Sequence, residues 1–238
     1  MSPASPRRCS RLLLVLALAV TSPVSSAAEA VIVLHGLARS ERAMRPLAGH
    51  LEAAGFAVTN LDYPSTTATV EELVEAHLLP PVQAQAEAER LHFVTHSMGG
   101  ILVRQLIATQ RPPNLGRVVM IAPPNRGSEL VDKLGGLPPF RWINGPAGSQ
   151  LGTGDASLPL RLGAADFPLG VIAGRRSFNP LYSWLIPGDD DGKVAVERAK
   201  LEGMTDFIVI DRSHTFIQNG PDTADQAVQF LRNGAFHR

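Results

Sequence analysis

The chain has 238 residues, 45% hydrophobic and 18% charged, a composition that excludes disordered and fibrous classes and fits one domain of ordinary size. Lys plus Arg and Asp plus Glu both number 22 and aromatics make up 5%, so neither the basic surface nor the stacking platform of a nucleic-acid binder is indicated. The single cysteine, Cys9, excludes a disulfide framework and a cysteine-built metal site.

At the N-terminus, Arg7, Arg8 and Arg11 precede an apolar run over 12–20 and then small residues up to Ala28. That order predicts a secretory signal peptide over 1–28, cut after Ala28 or Ala30, and hence an exported protein, periplasmic or secreted. The alternative is an uncleaved anchor, but a spanning helix needs about 20 apolar residues. Residues 1–28 carry three Arg and no acid, so the mature chain, 29–238, has 19 basic against 22 acidic residues, a net of −3. It contains no cysteine, so its core alone must hold it together.

Residues 30–34, AVIVL, read as a buried strand ended by His35-Gly36. Ser40 reads as a helix N-cap, followed by Met44, Leu47, Ala48 and Leu51 at helical spacing, with Gly55 closing the helix. A second strand is expected over 56–61. A helix over 70–79 is expected to break at Pro80-Pro81 and resume over 82–89. Residues 91–95 read as a third strand, 99–109 as a helix, 117–122 as a fourth strand, 169–173 as a fifth and 206–210 as a sixth. The last helix spans 223–231, with Asp222 as its cap and Gly234 just past its end. Continuous Val/Ile/Leu strands interleaved with helices predict an α/β fold, a compact and mostly parallel sheet of about six strands covered on both faces. Residues 127–168, rich in Gly and Pro, interrupt the pattern as a long, weakly structured insertion; with Phe140, Trp142 and Ile143 they are expected to form a lid or the wall of an acyl site, a buried satellite cluster being the alternative.

The sharpest chemical signal is Val94-Thr95-His96-Ser97-Met98-Gly99-Gly100, which follows a strand and opens a helix. A serine there sits on a tight turn whose neighbours must be small. Gly99 fits; Thr95 stands where the usual pattern has glycine. Such a serine needs a base. His50 and His77 fall in helical patterns, His92 in a strand and His237 by the terminus, while His35 and His96 belong to turns; His214 alone lies in a loop after a late strand. A base needs a carboxylate to fix its tautomer, and the run Asp189-Asp190-Asp191 precedes it, with Asp191 the candidate because Gly192 follows. A surface turn or a calcium loop are other readings of that run, though calcium loops space their ligands at alternate positions. After the first strand, Gly36 lets backbone approach an oxyanion, with the amides of Leu37 and Met98 as candidate donors.

Together Val33-Leu34-His35-Gly36-Leu37, the Ser97 segment, residues 121–128, Asp191-Gly192-Lys193-Val194 and Ser213-His214 resemble small bacterial serine esterases and lipases of the α/β-hydrolase family. The resemblance implies an α/β-hydrolase fold, Ser97 as nucleophile, Asp191 as acid, His214 as base, and Leu37 and Met98 as oxyanion donors. The chain opens at its His-Gly strand, which implies a compact version of that fold. No P-loop, His-Glu-x-x-His or dinucleotide fingerprint occurs, so no cofactor and no metal are expected. The expected reaction is carboxylic-ester hydrolysis on a small-molecule or lipid ester, with contact to a lipid interface as a further expectation. The same triad serves thioesterase, amidase or acyltransferase chemistry, and a non-catalytic binding protein on the same fold is a third reading.

Overall fold

The computed structural model describes Met1 and residues 29–238. The expected signal peptide falls, apart from Met1, outside the described residues. In chain order the elements are β1 (Ala30–Leu34), α1 (Arg45–Ala53), β2 (Ala57–Leu61), α2 (Val70–Leu73), α3 (Leu79–Gln83), β3 (Leu91–His96), α4 (Gly99–Gln110), β4 (Leu115–Ile121), α5 (Glu129–Leu134), α6 (Pro138–Ser149), α7 (Leu158–Arg161), β5 (Leu169–Gly174), α8 (Pro180–Leu185), α9 (Val196–Ala199), β6 (Asp206–Ile210) and α10 (Pro221–Asn233).

The six strands form one sheet in the order β2-β1-β3-β4-β5-β6, every pairing parallel. Parallel strands need crossovers, and the helices between them cover both faces. Side-chain alternation sorts the core into two layers. Ile32, Leu34, Phe93 and Met120 meet α2, α3 and α4 on one face, while Val31, Val33, Val94, Val119 and Ile121 meet α1 and α10 on the other. Phe93 is fully buried at the centre of the first layer, where truncation to Ala costs about 3–5 kcal/mol. This central position of β1, β3 and β4 is what fixes their carboxyl ends, where α/β sheets place their sites.

Four local expectations are corrected. Pro80-Pro81 does not break the helix: a π-helical turn over Val74–Leu78, whose wider hydrogen-bond spacing shifts the ladder just ahead of the prolines, runs straight into α3. Helical structure ends at Gln83 rather than 89. Ser40 precedes a 3₁₀ turn over Glu41–Met44 and makes no side-chain cap bond. The last helix begins at Pro221, with Gly220 as its cap, because Pro at the first position is pre-set for a helix. The Asp222 carboxylate instead accepts from the Thr223 N–H and pairs with Arg212.

The insertion over 127–168 is not weakly structured; it folds as α5, α6 and α7. α6 bends sharply at Gly145, whose φ of 63° and close approach to the Thr66 carbonyl leave no room for a side chain. Its far end is tied to α2 and the segment before it. Gln150 accepts from the Val70 N–H at 2.7 Å, and Ala147 N–H donates to the Ala68 carbonyl. At the root, the buried Arg104 of α4 donates to the carbonyls of Asn125, Pro159 and Gly163, each at 2.8 Å. Burial without a carboxylate partner pushes this guanidinium down to about 10, so it stays charged at neutral pH.

Candidate active site

Ser97 stands between the last residue of β3 and the first turn of α4. Its φ of 53° lies in the left-handed region, a conformation that costs a non-glycine residue energy and persists only when its surroundings impose it. They do: Ser97 N–H donates to the Ile121 carbonyl at 2.8 Å, and the Ser97 carbonyl accepts from Gly100 N–H. A Cβ on Gly99 would come within 2.9 Å of the His35 carbonyl oxygen and 3.0 Å of Leu34. A Cβ on Gly100 would come within 3.2 Å of Thr95 Oγ1, so glycine at 100 makes the room that lets threonine replace the usual glycine at 95.

The loop after β6 carries His214 across to this turn. Ser97 Oγ lies 3.0 Å from His214 Nε2, and His214 Nδ1 lies 2.8 Å from Asp191 Oδ2. The carboxylate can only accept, so Nδ1 carries the hydrogen and Nε2 is left to accept from the serine hydroxyl. Asp191 is itself held: its Oδ1 accepts from the N–H groups of Lys193 and Val194, and its carbonyl accepts from His214 N–H. Asp190 is buried but turned elsewhere, accepting from Ser183 Oγ and Gly192 N–H, while Asp189 is exposed. Gly192 has a reason other than clearance for His214. Its φ is 98°, and an added Cβ would face Ser177 rather than the imidazole.

Leu37 and Met98 flank Ser97 from two turns, and neither backbone N–H donates to a protein acceptor among the described residues. The Leu37 turn is braced by groups that local sequence patterns do not reveal. Tyr63 Oη donates to the His35 carbonyl at 2.6 Å and its ring stacks on His35 at 4.1 Å; Ala38, at φ 53°, donates its N–H to Ser65 Oγ. Burial pushes the His35 imidazole down and the Tyr63 hydroxyl up, so both stay neutral. Ser128 Oγ donates to the Lys193 carbonyl at 2.8 Å and so ties the acid loop to the start of the insertion. Ser128 closes one of the quoted motifs; Tyr63 and Ser65 carry no local signal.

Ser97 and His214 open into a cavity of about 440 Å³, within the usual range for small-ligand sites. Its walls come largely from the insertion: Val131, Leu134, Leu137, Phe140 and Ile143. Trp142 is not among them; it is 86% exposed and points away. The arrangement can deprotonate a serine hydroxyl next to an apolar chamber with two free amide donors beside it.

A family model described as the alpha/beta hydrolase family matches residues 31–231. Comparison with curated proteins finds no match. Among solved structures, the mature lipase BlEst2 of Bacillus licheniformis is 20% identical with a TM-score of 0.66, over 84% of this chain and 90% of that one. The phospholipase PlaB of Legionella pneumophila is 18% identical with a TM-score of 0.66, over 87% of this chain and 60% of that one. The Pyrococcus furiosus esterase Pf2001 is 20% identical with a TM-score of 0.58, over 87% and 83%. At these identities the likeness shows the fold.

Proposed function

The chain belongs to the α/β-hydrolase family, and from that premise we propose that it is a serine hydrolase of carboxylic esters. One observation carries the reading: the hydrogen-bonded relay from Ser97 through His214 to Asp191, at the foot of an apolar cavity. The lipases and esterase of similar fold agree with it.

His214 Nε2 takes the Ser97 proton as Oγ attacks the ester carbonyl. The carbonyl oxygen gains charge and is met by the amides of Leu37 and Met98, donors worth about 10²–10³ in rate each. Collapse expels the alcohol, which takes its proton from His214, and leaves an acyl-serine. Water, deprotonated by the same imidazole, attacks the acyl carbon and releases the acid. Asp191 keeps Nδ1–H oriented and offsets the charge on the imidazolium. We also propose that the mature protein begins at Glu29 or Val31 and is exported, as the basic, apolar and small-residue order of its first 28 residues suggests.

Hydrolysis of p-nitrophenyl esters of graded chain length, with and without a serine-directed phosphonate, tests the activity. Phosphonate-sensitive turnover that disappears in Ser97→Ala supports it. Turnover of a matched thioester or amide faster than the ester would replace it with that chemistry. N-terminal sequencing of the exported protein tests the cleavage; an intact Met1 on a membrane-bound species would overturn it.

A further inference from the structure

The cavity that holds Ser97 and His214 is lined by two cations, Arg39 and Lys193, and by no Asp or Glu. Arg39 follows the Leu37 turn; Lys193 lies two residues past Asp191 in the acid loop. Neither side chain makes an ion pair or hydrogen bond among the described residues. Asp191, the carboxylate whose charge acts on Lys193, is committed to His214 and to two backbone N–H groups. Two positive charges that no protein acceptor meets are free to take an anion from solution. Both residues keep an exposed surface, so the charges sit at the rim, while the interior walls are apolar.

Resting on the esterase reading, we propose that the preferred substrate is an ester whose alcohol carries a fixed anion of phosphate type, gripped by Arg39 and Lys193. The acyl chain would enter between Val131, Leu134 and Phe140, where a charge would be stranded, and this puts the anion on the alcohol side. A guanidinium presents a planar fork to two phosphate oxygens and an ammonium adds a mobile point charge, so the two cations divide geometry and attraction between them. Their fields already reach the reacting turn. Burial first, then His214, and then Lys193 and Arg39 hold the His96 imidazole far below its ordinary range. Lys193 is surface-accessible yet crowded by protein, and that crowding, together with Arg39, lowers its ammonium. An anion bound between the two would relieve that repulsion. The reaction is the same: the acyl–oxygen bond breaks, water supplies the acid's oxygen, and the phosphorylated alcohol leaves intact.

A matched pair tests this: 1-octanoylglycerol and 1-octanoylglycerol 3-phosphate, each below its aggregation threshold, with octanoate release followed. The full mature chain is expected to favour the phosphate by about tenfold or more in kcat/KM, the size of one charge-assisted contact. Added salt should shrink the preference. Arg39→Gln and Lys193→Gln should each cut it several-fold, their combination should bring it near one, and Lys193→Arg should keep it. Inorganic phosphate, added as a competitor of the neutral ester, separates a free-ion site from a substrate subsite. Inhibition without preference for the phosphorylated ester overturns the proposal in favour of a free-ion site. Equal turnover of the two esters, or a preference that survives the double substitution, overturns it while leaving the esterase reading intact. No turnover of either ester or of p-nitrophenyl octanoate overturns that reading itself.

Discussion

His96 donates its Nε2–H to the main-chain carbonyl of His214 at 2.9 Å, joining the residue before the serine to the backbone of the residue that faces it. The imidazole is fully enclosed and burial keeps it neutral, so the donated hydrogen is retained at neutral pH. The bond sets how far the His214 loop stands from β3.

His96→Leu should therefore misplace His214 without removing it. A misplacement of about 1 Å costs on the order of 10²-fold. We expect kcat on a p-nitrophenyl ester to fall by about that factor with KM little changed, and His96→Gln, which keeps a donor, to recover part of it. Equal effects of the two substitutions on melting temperature and on kcat would reduce His96 to a core residue.

Asp191→Asn should lower kcat by about 10⁴, the cost of losing the acid in the best-studied serine hydrolase. Asp189→Asn, at an exposed position, should be nearly silent. Asp190→Asn should act through stability, since its carboxylate holds Ser183 and Gly192. Steady-state kinetics and thermal melts of the three single variants decide it; a large kcat loss at 190 with none at 191 would move the acid by one residue.

Phe140→Ala should shift preference toward longer acyl chains, because Phe140 lines the cavity. Trp142→Ala should leave the profile in place, since that ring is exposed. The chain-length profile on p-nitrophenyl acetate through laurate checks both, and a profile moved only by Trp142→Ala would assign the wall to a different face of α6.

Acid should destabilise this protein early. His35, His92 and His96 are buried, and burial lowers each below its ordinary value of 6.5. Above that value neither state binds the proton. Below it the unfolded chain takes up protons that the folded chain refuses, so stability falls as pH drops from about 6.5 toward each folded-state value, by up to about 1.4 kcal/mol per pH unit per histidine. Urea unfolding at pH 7.5, 6.5 and 5.5 should show a level upper interval and a steep lower one. A flat response between 6.5 and 5.5 would mean that these imidazoles titrate alike in both states.

The strands were legible because a parallel sheet buried on both faces demands unbroken β-branched and aliphatic runs, and AVIVL at β1 meets that demand without tertiary context. Ser97 was legible because Gly99 marks where the turn crowds the backbone of β1 and its following loop. The helices of the insertion were hidden. Gly135, Gly136, Pro138, Pro139, Gly145 and Pro146 suppress helix propensity, and α6 forms nonetheless by starting at a proline and bending at a glycine. The braces of the site were hidden for another reason. Tyr63 and Arg104 act on carbonyls 28 and 21 or more residues away, and no local spacing encodes such partners. Asp222 misled because a carboxylate ahead of a helix satisfies the capping pattern whether or not its own bonds run elsewhere.

No two neighbouring strands of this sheet are joined by a hairpin. The paired residues closest in sequence, Leu91 and Leu115, are 24 apart, and β1 finds β3 only across the whole of α1, β2, α2 and α3. Each pairing must close a long loop before any ladder hydrogen bond rewards it. Refolding should accordingly be a matter of milliseconds to seconds or slower, set by topology rather than by any single turn. Until β1 and β3 meet, the β1–β3 register that brings the Leu37 turn beside Ser97 does not exist, so hydrolase activity should return with the last phase of refolding and not with the first helical signal.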